Sequence, residues 1–303
     1  MSRKKFVIIG ANSYIARNLI YILKKNNSAD LYLYDYHENH ADNEPNYSKI
    51  DVLSADSVKN IDFDCDAVFL FTGKTGTADG FNNPHDYIII NELSLLNVLN
   101  EYRRQQSNAK LIFPSTRLIY KGSNDTLSED SEKEFKSIYA INKLACENYI
   151  LLYHQLFGVK YCILRICVPY GSDVDEASSY GTAEFMISSA KKGKNITIYG
   201  DGSQRRTLTH ISDVCNSIID AAVSNKCIND VYNIGGENYS LIEMAQLIAN
   251  NFGVSVEQID WPKLAYEMET GSTVFNSDKL DNIIGKHDKI KFADWTANNQ
   301  RKN

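Results

Sequence analysis

A short apolar run at residues 6–9 breaks at Gly10, is followed by apolar residues at helical spacing (Ile15, Leu19, Ile20, Leu23), and gives way to a second apolar run at 31–34. This order constrains the fold more than any other feature. A strand that is apolar at every position is buried on both faces, and a strand–helix–strand unit joins parallel neighbours. The alternation continues with strands at 67–71, 111–113 and 161–166 and helices at 87–104 and 139–157. The pattern predicts an α/β fold: a doubly wound parallel (Rossmann) sheet with a smaller C-terminal lobe. Past Pro169 the rhythm loosens into a polar loop at 171–181, a helix at 184–192, a strand at 196–199, a turn at 200–206 and a helix at 211–223. A strand at 231–234 and a helix at 241–252 follow. Residues 1–168 read as one domain and 169–303 mainly as the lobe, with a return to the sheet near 231–235.

Composition excludes several classes of function. With 32 Lys+Arg against 38 Asp+Glu the formal net charge is −6, which removes the electrostatic basis of nucleic-acid binding. No run approaches the roughly 18 apolar residues that span a membrane. The six cysteines form no C-x-x-C pair and have no histidine at zinc spacing, so reduced thiols in the cytoplasm are expected, with no metal site.

The turn after the first run reads Gly10-Ala11-Asn12-Ser13-Tyr14-Ile15-Ala16. A dinucleotide fold needs a tight glycine turn, close backbone approach to a pyrophosphate, and a small residue where helix meets strand. Gly10 and Ala16 satisfy the first and last. Ser13 replaces the middle glycine and offers a hydroxyl at a helix N-terminus, where phosphate oxygens bind. Asp35 ends the second strand 25 positions after Gly10, near the ~20-residue offset at which a carboxylate receives ribose hydroxyls. No arginine follows it directly, so the pattern favours NAD over NADP.

Two Tyr-x-x-x-Lys pairs occur, Tyr21 with Lys25 and Tyr139 with Lys143. One helical turn separates phenol from ammonium, and a cation so placed favours phenolate, which suits an acid–base group. Tyr21 lies in the first helix, past the glycine turn, and reads as a packing residue. Tyr139 opens the helix after the strand that ends in Pro114-Ser115-Thr116, at the carboxyl edge where open α/β sheets bind ligands.

Five motifs taken in order carry a resemblance: Ser115-Thr116-x-x-x-Tyr120-x-Gly122, Tyr139-x-x-x-Lys143-x-x-x-Glu147, Leu164-Arg165-x-x-x-Pro169-Tyr170-Gly171, Gly200-Asp201-Gly202-Ser203-Gln204-x-Arg206 and Tyr232-Asn233-Ile234-Gly235-Gly236. Over nearly its whole length the chain resembles the extended short-chain dehydrogenase/reductases, in their NAD-dependent nucleotide-sugar epimerase/dehydratase branch. The resemblance implies that Thr116 orients the reacting sugar oxygen, Tyr139 carries the proton, and Lys143 holds the nicotinamide ribose. It implies a cofactor-binding set of Gly10, Asn12, Ser13, Tyr14, Ile15, Asp35, Asp51, Val52, Phe71, Gly73, Asn91, Ser115, Tyr139, Lys143 and Val168, and a substrate-binding set of Lys74, Thr75, Thr116, Arg117 and Arg206. Arg206 stands where relatives hold a substrate diphosphate.

Departures narrow the expectation. Dehydratases of this branch carry Asp-Glu after the catalytic threonine, where this chain has Arg117 and Leu118. The family's aspartate after Arg206 is Thr207, its substrate-binding asparagine is Val168, and the late arginine of UDP-sugar epimerases has no counterpart around residues 267–273. The resemblance therefore implies an NAD-dependent epimerase, acting at C4 of a nucleotide-diphosphate sugar through a keto intermediate, in polysaccharide biosynthesis. A 4-keto-6-deoxy sugar reductase using NAD(P)H shares the same residues, and a non-catalytic cofactor-binding regulator is a third reading. A homodimer through helices 87–104 and 139–157 is the family expectation.

Overall fold

The computed structural model describes residues 3–174, 181–286 and 288–299. Seven strands form one sheet: β1 (Lys4–Ile9), β2 (Ala29–Asp35), β3 (Tyr47–Lys49), β4 (Ala67–Leu70), β5 (Lys110–Thr116), β6 (Lys160–Ile166) and β10 (Asp230–Asn233), in the order β10-β6-β5-β4-β1-β2-β3. Every pairing in it is parallel. Along β1, Phe6 and Ile8 enter one apolar core while Val7 and Ile9 enter another. Both faces are covered, which is why the sequence shows unbroken apolar runs instead of a period of two. Helices Tyr14–Lys25 and Ile211–Val223 cover the first face. Ser94–Arg104 and the long helix Ile138–Phe157 cover the second. The doubly wound sheet is thus the fold that the alternation predicts. Strand order reverses between β1 and β4, so the loops after β1, β4 and β5 open together at the carboxyl edge.

The lobe holds a mixed sheet of β7 (Val168–Tyr170), β9 (Arg205–His210) and β11 (Glu237–Ser240), and a parallel pair of β8 (Ile196–Tyr199) and β12 (Val256–Ile259). Helices Thr182–Lys191 and Leu241–Phe252 pack on them around Tyr170, Ile187, Leu208, Met244 and Phe292. The second of these helices starts with a reciprocal Ser240–Glu243 capping box and stops at Gly253, whose positive φ of 67° ends the helix.

The structure also differs from the sequence reading. The helix expected from residue 87 begins at Pro84 and contains a π-turn, Ile89–Leu93. The turn expected over 200–206 is cut short by β9. Strands β3, β7, β11 and β12 span only three or four residues, too few to carry a periodicity. Tyr21 is exposed beside Lys25. Most of the polar loop expected at 171–181 lies outside the described residues.

Several motif residues form a buried polar network. Arg165 on β6 pairs with Glu147 of the long helix through two bonds of 3.1 and 2.7 Å, both side chains only 5% exposed. The same guanidinium donates to the Tyr120 hydroxyl (2.7 Å) and the Glu129 carbonyl (2.8 Å). Tyr120 in turn donates to Asn233 of β10 (2.8 Å), whose backbone N–H reaches the Glu129 carboxylate (2.7 Å). Elsewhere Lys110, buried in β5, donates to the carbonyls of Ala221, Ala222 and Ser224 at the end of helix Ile211–Val223.

A buried pair of this kind adds little over an apolar pair of equal volume, but removing one partner leaves an uncompensated charge. Glu147→Gln is therefore expected to lower the unfolding free energy by about 3–5 kcal/mol in urea titration, while replacing both partners by Leu and Met costs less. A loss below about 1 kcal/mol in the single variant would refute this role for the pair.

Candidate active site

At the β1 turn, Gly10 adopts φ +82°, and a Cβ there would lie 2.6 Å from the Thr72 nitrogen. Only glycine lets β1 and β4 stay this close. The Gly10 and Ala11 N–H groups bond the Tyr34 carbonyl, which places Asp35 beside the turn. One Asp35 oxygen accepts from Asn12 N–H (2.9 Å) and the other faces His37 Nδ1 (2.8 Å). Ser13 caps helix Tyr14–Lys25 without a side-chain bond, and its buried hydroxyl has no partner. Tyr14 donates to the Gly171 carbonyl (2.5 Å), which ties the glycine turn to the lobe, and Ile15 packs against the first core.

The next wall comes from the segment after β4. Phe71 is buried, and a Cβ on Gly73 would lie 2.9 Å from Asn91 Oδ1. Asn91 sits in the π-turn, accepts from the Lys74 N–H (2.7 Å) and donates to its carbonyl (3.2 Å). The wider π-turn aims this amide at the loop, a use such turns often serve at functional sites. Asp51 and Val52 follow β3: the Asp51 carboxylate accepts from Leu53 N–H (2.9 Å) and the Val52 carbonyl from Asn97 (2.9 Å).

At the end of β5, Ser115 has a second buried hydroxyl with no partner. Thr116 follows and caps the short 3₁₀ turn Arg117–Ile119. Tyr139 and Lys143, both buried, enter from the start of the long helix, which Ser137 caps. Burial raises the Tyr139 pKa, and a hydrogen bond from the Thr116 side chain works against that shift. The Lys143 ammonium donates to the Pro114 carbonyl (2.8 Å) and lies over the Phe113 ring. Burial pulls its pKa down to about 8.

The structure therefore brings the turn residues, Asp35, Gly73, Ser115, Thr116, Tyr139 and Lys143 to one edge of the sheet. Two unpaired hydroxyls at that edge, on Ser13 and Ser115, fit an oxygen-rich ligand such as a dinucleotide.

The other expected residues are engaged by neighbours within the chain. Lys74 pairs with Asp86 (3.1 Å) over the Tyr87 ring, and the Thr75 carbonyl accepts from the Tyr87 hydroxyl, so both are held within the loop. Val168 is buried in the lobe core on β7. Arg206 is 2% exposed: it pairs with Glu269 (2.6 Å) and donates to the carbonyls of Arg205 (2.9 Å) and Gly271 (2.5 Å). Arg117 instead reaches toward the hydroxyls of Thr270 and Thr273 (3.3 and 3.5 Å). Sequence reasoning misses Glu269, Thr270 and Thr273. The one signal for them is Gly122, where a Cβ would fall 1.9 Å from the Thr270 carbonyl oxygen.

The family model described as "NAD dependent epimerase/dehydratase family" matches residues 6–235. The chain belongs to the NAD dependent epimerase/dehydratase family. A member from Salmonella typhi, CDP-paratose 2-epimerase, is 26% identical over 77% of this chain and 78% of its own. The Thermus thermophilus UDP-glucose 4-epimerase, solved with NAD, superimposes with a TM-score of 0.84 at 22% identity, covering 97% of this chain and 96% of that one. The Bacillus cereus UDP-glucuronic acid 4-epimerase, solved with UDP-glucuronic acid and NAD, gives 0.84 at 22% identity over 96% of each chain. At such identity the two structures establish the fold. Among the described residues no cluster of His, Cys, Asp or Glu suits a metal ion, and no helix is long and apolar enough to cross a membrane.

The Lys143 value fixes a pH dependence. Its folded pKa of about 8 lies below the ordinary 10.5, so the ammonium is lost as pH rises through 8, and at pH 9 only about a tenth remains. Turnover that needs this cation is expected to fall on the alkaline side with an apparent pKa near 8, read from kcat/KM against pH. Activity undiminished to about pH 10 would contradict the assignment.

Proposed function

We propose that this NAD-dependent family member is an epimerase of a nucleotide-diphosphate sugar, acting at C4 through a keto intermediate. What supports the reading is that Thr116 bonds Tyr139 and Lys143 bonds the Pro114 carbonyl at the end of β5, on the carboxyl edge of the sheet that also carries the glycine turn and Asp35. Residues 1–168 hold the cofactor and most of 169–303 the sugar nucleotide, apart from the helix and strand that return to the sheet. Gly10, Ser13, Asp35 and Ser115 would hold NAD, with Asp35 at a ribose and Ser13 at the pyrophosphate. When bound, NAD supplies a reversible hydride acceptor next to the sugar.

Thr116 orients the sugar hydroxyl toward Tyr139, which takes its proton as the ring carbon is oxidised and returns it after the keto sugar turns over. Lys143 is the positive charge one helical turn away that favours phenolate against the cost of burial. Arg117 and Leu118 stand where a dehydration would need an acid and a base, which speaks for simple inversion. The six free cysteines accord with a cytoplasmic enzyme. The second part of the reading is a homodimer through the outer faces of the 84–104 region and the long helix, where Ile88, Leu93, Ile141 and Leu156 are exposed. Light scattering is expected to give a mass twice that of the 34.3 kDa chain, and a monomer at micromolar concentration would remove this part.

The deciding experiment is a panel of nucleotide sugars followed by mass spectrometry and NMR, with and without added NADH. Inversion at C4 with no net change in NADH is expected, whereas stoichiometric NADH consumption would make the protein a reductase. In the same assay Tyr139→Phe is expected to lower turnover by about 10² or more with NAD affinity nearly unchanged. Calorimetry is expected to show NAD binding more tightly than NADP, because Asp35 repels a 2′-phosphate.

A further inference from the structure

Beyond Thr116 lies a cluster that the reaction just described does not use. Among the described residues the guanidinium of Arg117 makes only two long hydrogen bonds, to the neutral hydroxyls of Thr270 (3.3 Å) and Thr273 (3.5 Å), and no carboxylate pairs with it. A guanidinium carries five N–H donors, so most of its capacity is unspent. Arg206 reaches the same 269–273 segment from β9 and is already committed to Glu269 and two carbonyls, with only a buried Nε left unpartnered. Glu269 is itself shared, because the oxygen that meets Arg206 also accepts the Gly271 N–H (2.8 Å). Two guanidiniums thus converge on one carboxylate, which leaves one uncompensated positive charge in a site walled by buried threonines.

An uncompensated, partly desolvated guanidinium next to the group that orients the substrate costs stability unless a ligand supplies the counter-charge. Burial, and after it the neighbouring Arg206, lower the Arg117 pKa to about 10, so the group remains a cation at neutral pH.

Resting on the nucleotide-sugar reading, we propose that Arg117, with the hydroxyls of Thr270 and Thr273, takes an oxyanion of the substrate. The planar fork of arginine matches the paired oxygens of a phosphate or a carboxylate. The oxyanion is either the diphosphate or a carboxylate on the reacting sugar.

The test is calorimetric titration of the wild-type chain, Arg117→Met and Arg117→Lys with four probes: UDP, UDP-glucose, UDP-glucuronic acid and inorganic pyrophosphate. Thermal melts establish that each variant is folded. If the diphosphate is the ligand, Arg117→Met weakens UDP and UDP-glucose by about 10- to 100-fold, the range for a charge-assisted hydrogen bond, and Arg117→Lys recovers part of the loss. If the sugar carboxylate is the ligand, only UDP-glucuronic acid weakens. Unchanged affinities in folded Arg117→Met overturn the proposal and leave the nucleotide-sugar reading intact. Wild-type protein that binds pyrophosphate through Arg117 but neither UDP sugar supports the anion site and leaves the nucleotide-sugar reading to the wider panel. Failure of the wild type to bind any of the four overturns the proposal and again leaves that reading to the panel, and failure of both variants to fold assigns Arg117 to structure and ends the proposal.

Discussion

The Arg165–Glu147 pair is the joint on which the active edge depends. It fixes the long helix to β6, and that helix carries Tyr139 and Lys143 two turns and one turn before Glu147. Through Tyr120 and Asn233 the same guanidinium fixes the loop after Thr116 and the outermost strand β10. Three separate stretches of chain are thereby held at one depth. An apolar contact of equal energy would allow the helix to slide along the sheet, whereas a two-pronged pair does not. The network's contribution is position more than net free energy.

Glycines supply the second half of the geometry. Gly10 brings the β1 turn against the end of β4, and Gly122 lets the Thr270–Gly271 backbone pass beneath the loop that follows Tyr120. The second approach seats the 269–273 segment beside Arg117. Bonds from Ser123, Thr207 and Leu127 to the carbonyls of residues 272–274 hold it there. Glu269 then pairs with Arg206, and among the described residues Arg117 is left without a paired carboxylate. The charge pattern of the substrate side follows from where one strand-like segment is threaded.

The sheet and the cofactor edge are legible in the sequence because their signals are local. Gly10, Ser13 and Asp35 lie within 26 residues, and Tyr139 and Lys143 share a helical turn. Helices 211–223 and 241–252 are read to the residue, since their apolar stripes are long and sharply bounded. The Arg117 surroundings are not legible. Thr270 lies 153 positions from Arg117, and Glu269 lies 63 from Arg206, with no spacing rule to join them. The π-turn escapes for a different reason: only the short stretch Pro84–Ile88 precedes it, too few residues to set a phase against which a shift of about 100° would show. The pairing of Arg206 with Glu269 is not legible either, because a motif states where an arginine stands and not whom it faces.

Lys110 carries a consequence for synthesis. It opens β5, an inner strand, yet its three acceptors all belong to residues 221–224. The apolar face of β1 and helix Tyr14–Lys25 is likewise completed by Ile211, Val214 and Ile218. A chain emerging from the ribosome therefore carries six of the seven strands of this sheet while one of its faces is still bare and the Lys110 ammonium still faces water. Closing that face begins with helix Ile211–Val223 and is completed only by Tyr232, Ile234 and, last, Leu280, and such long-range closure is slow and exposed to aggregation. The order in which this protein becomes compact is set by the chain that follows its sixth strand.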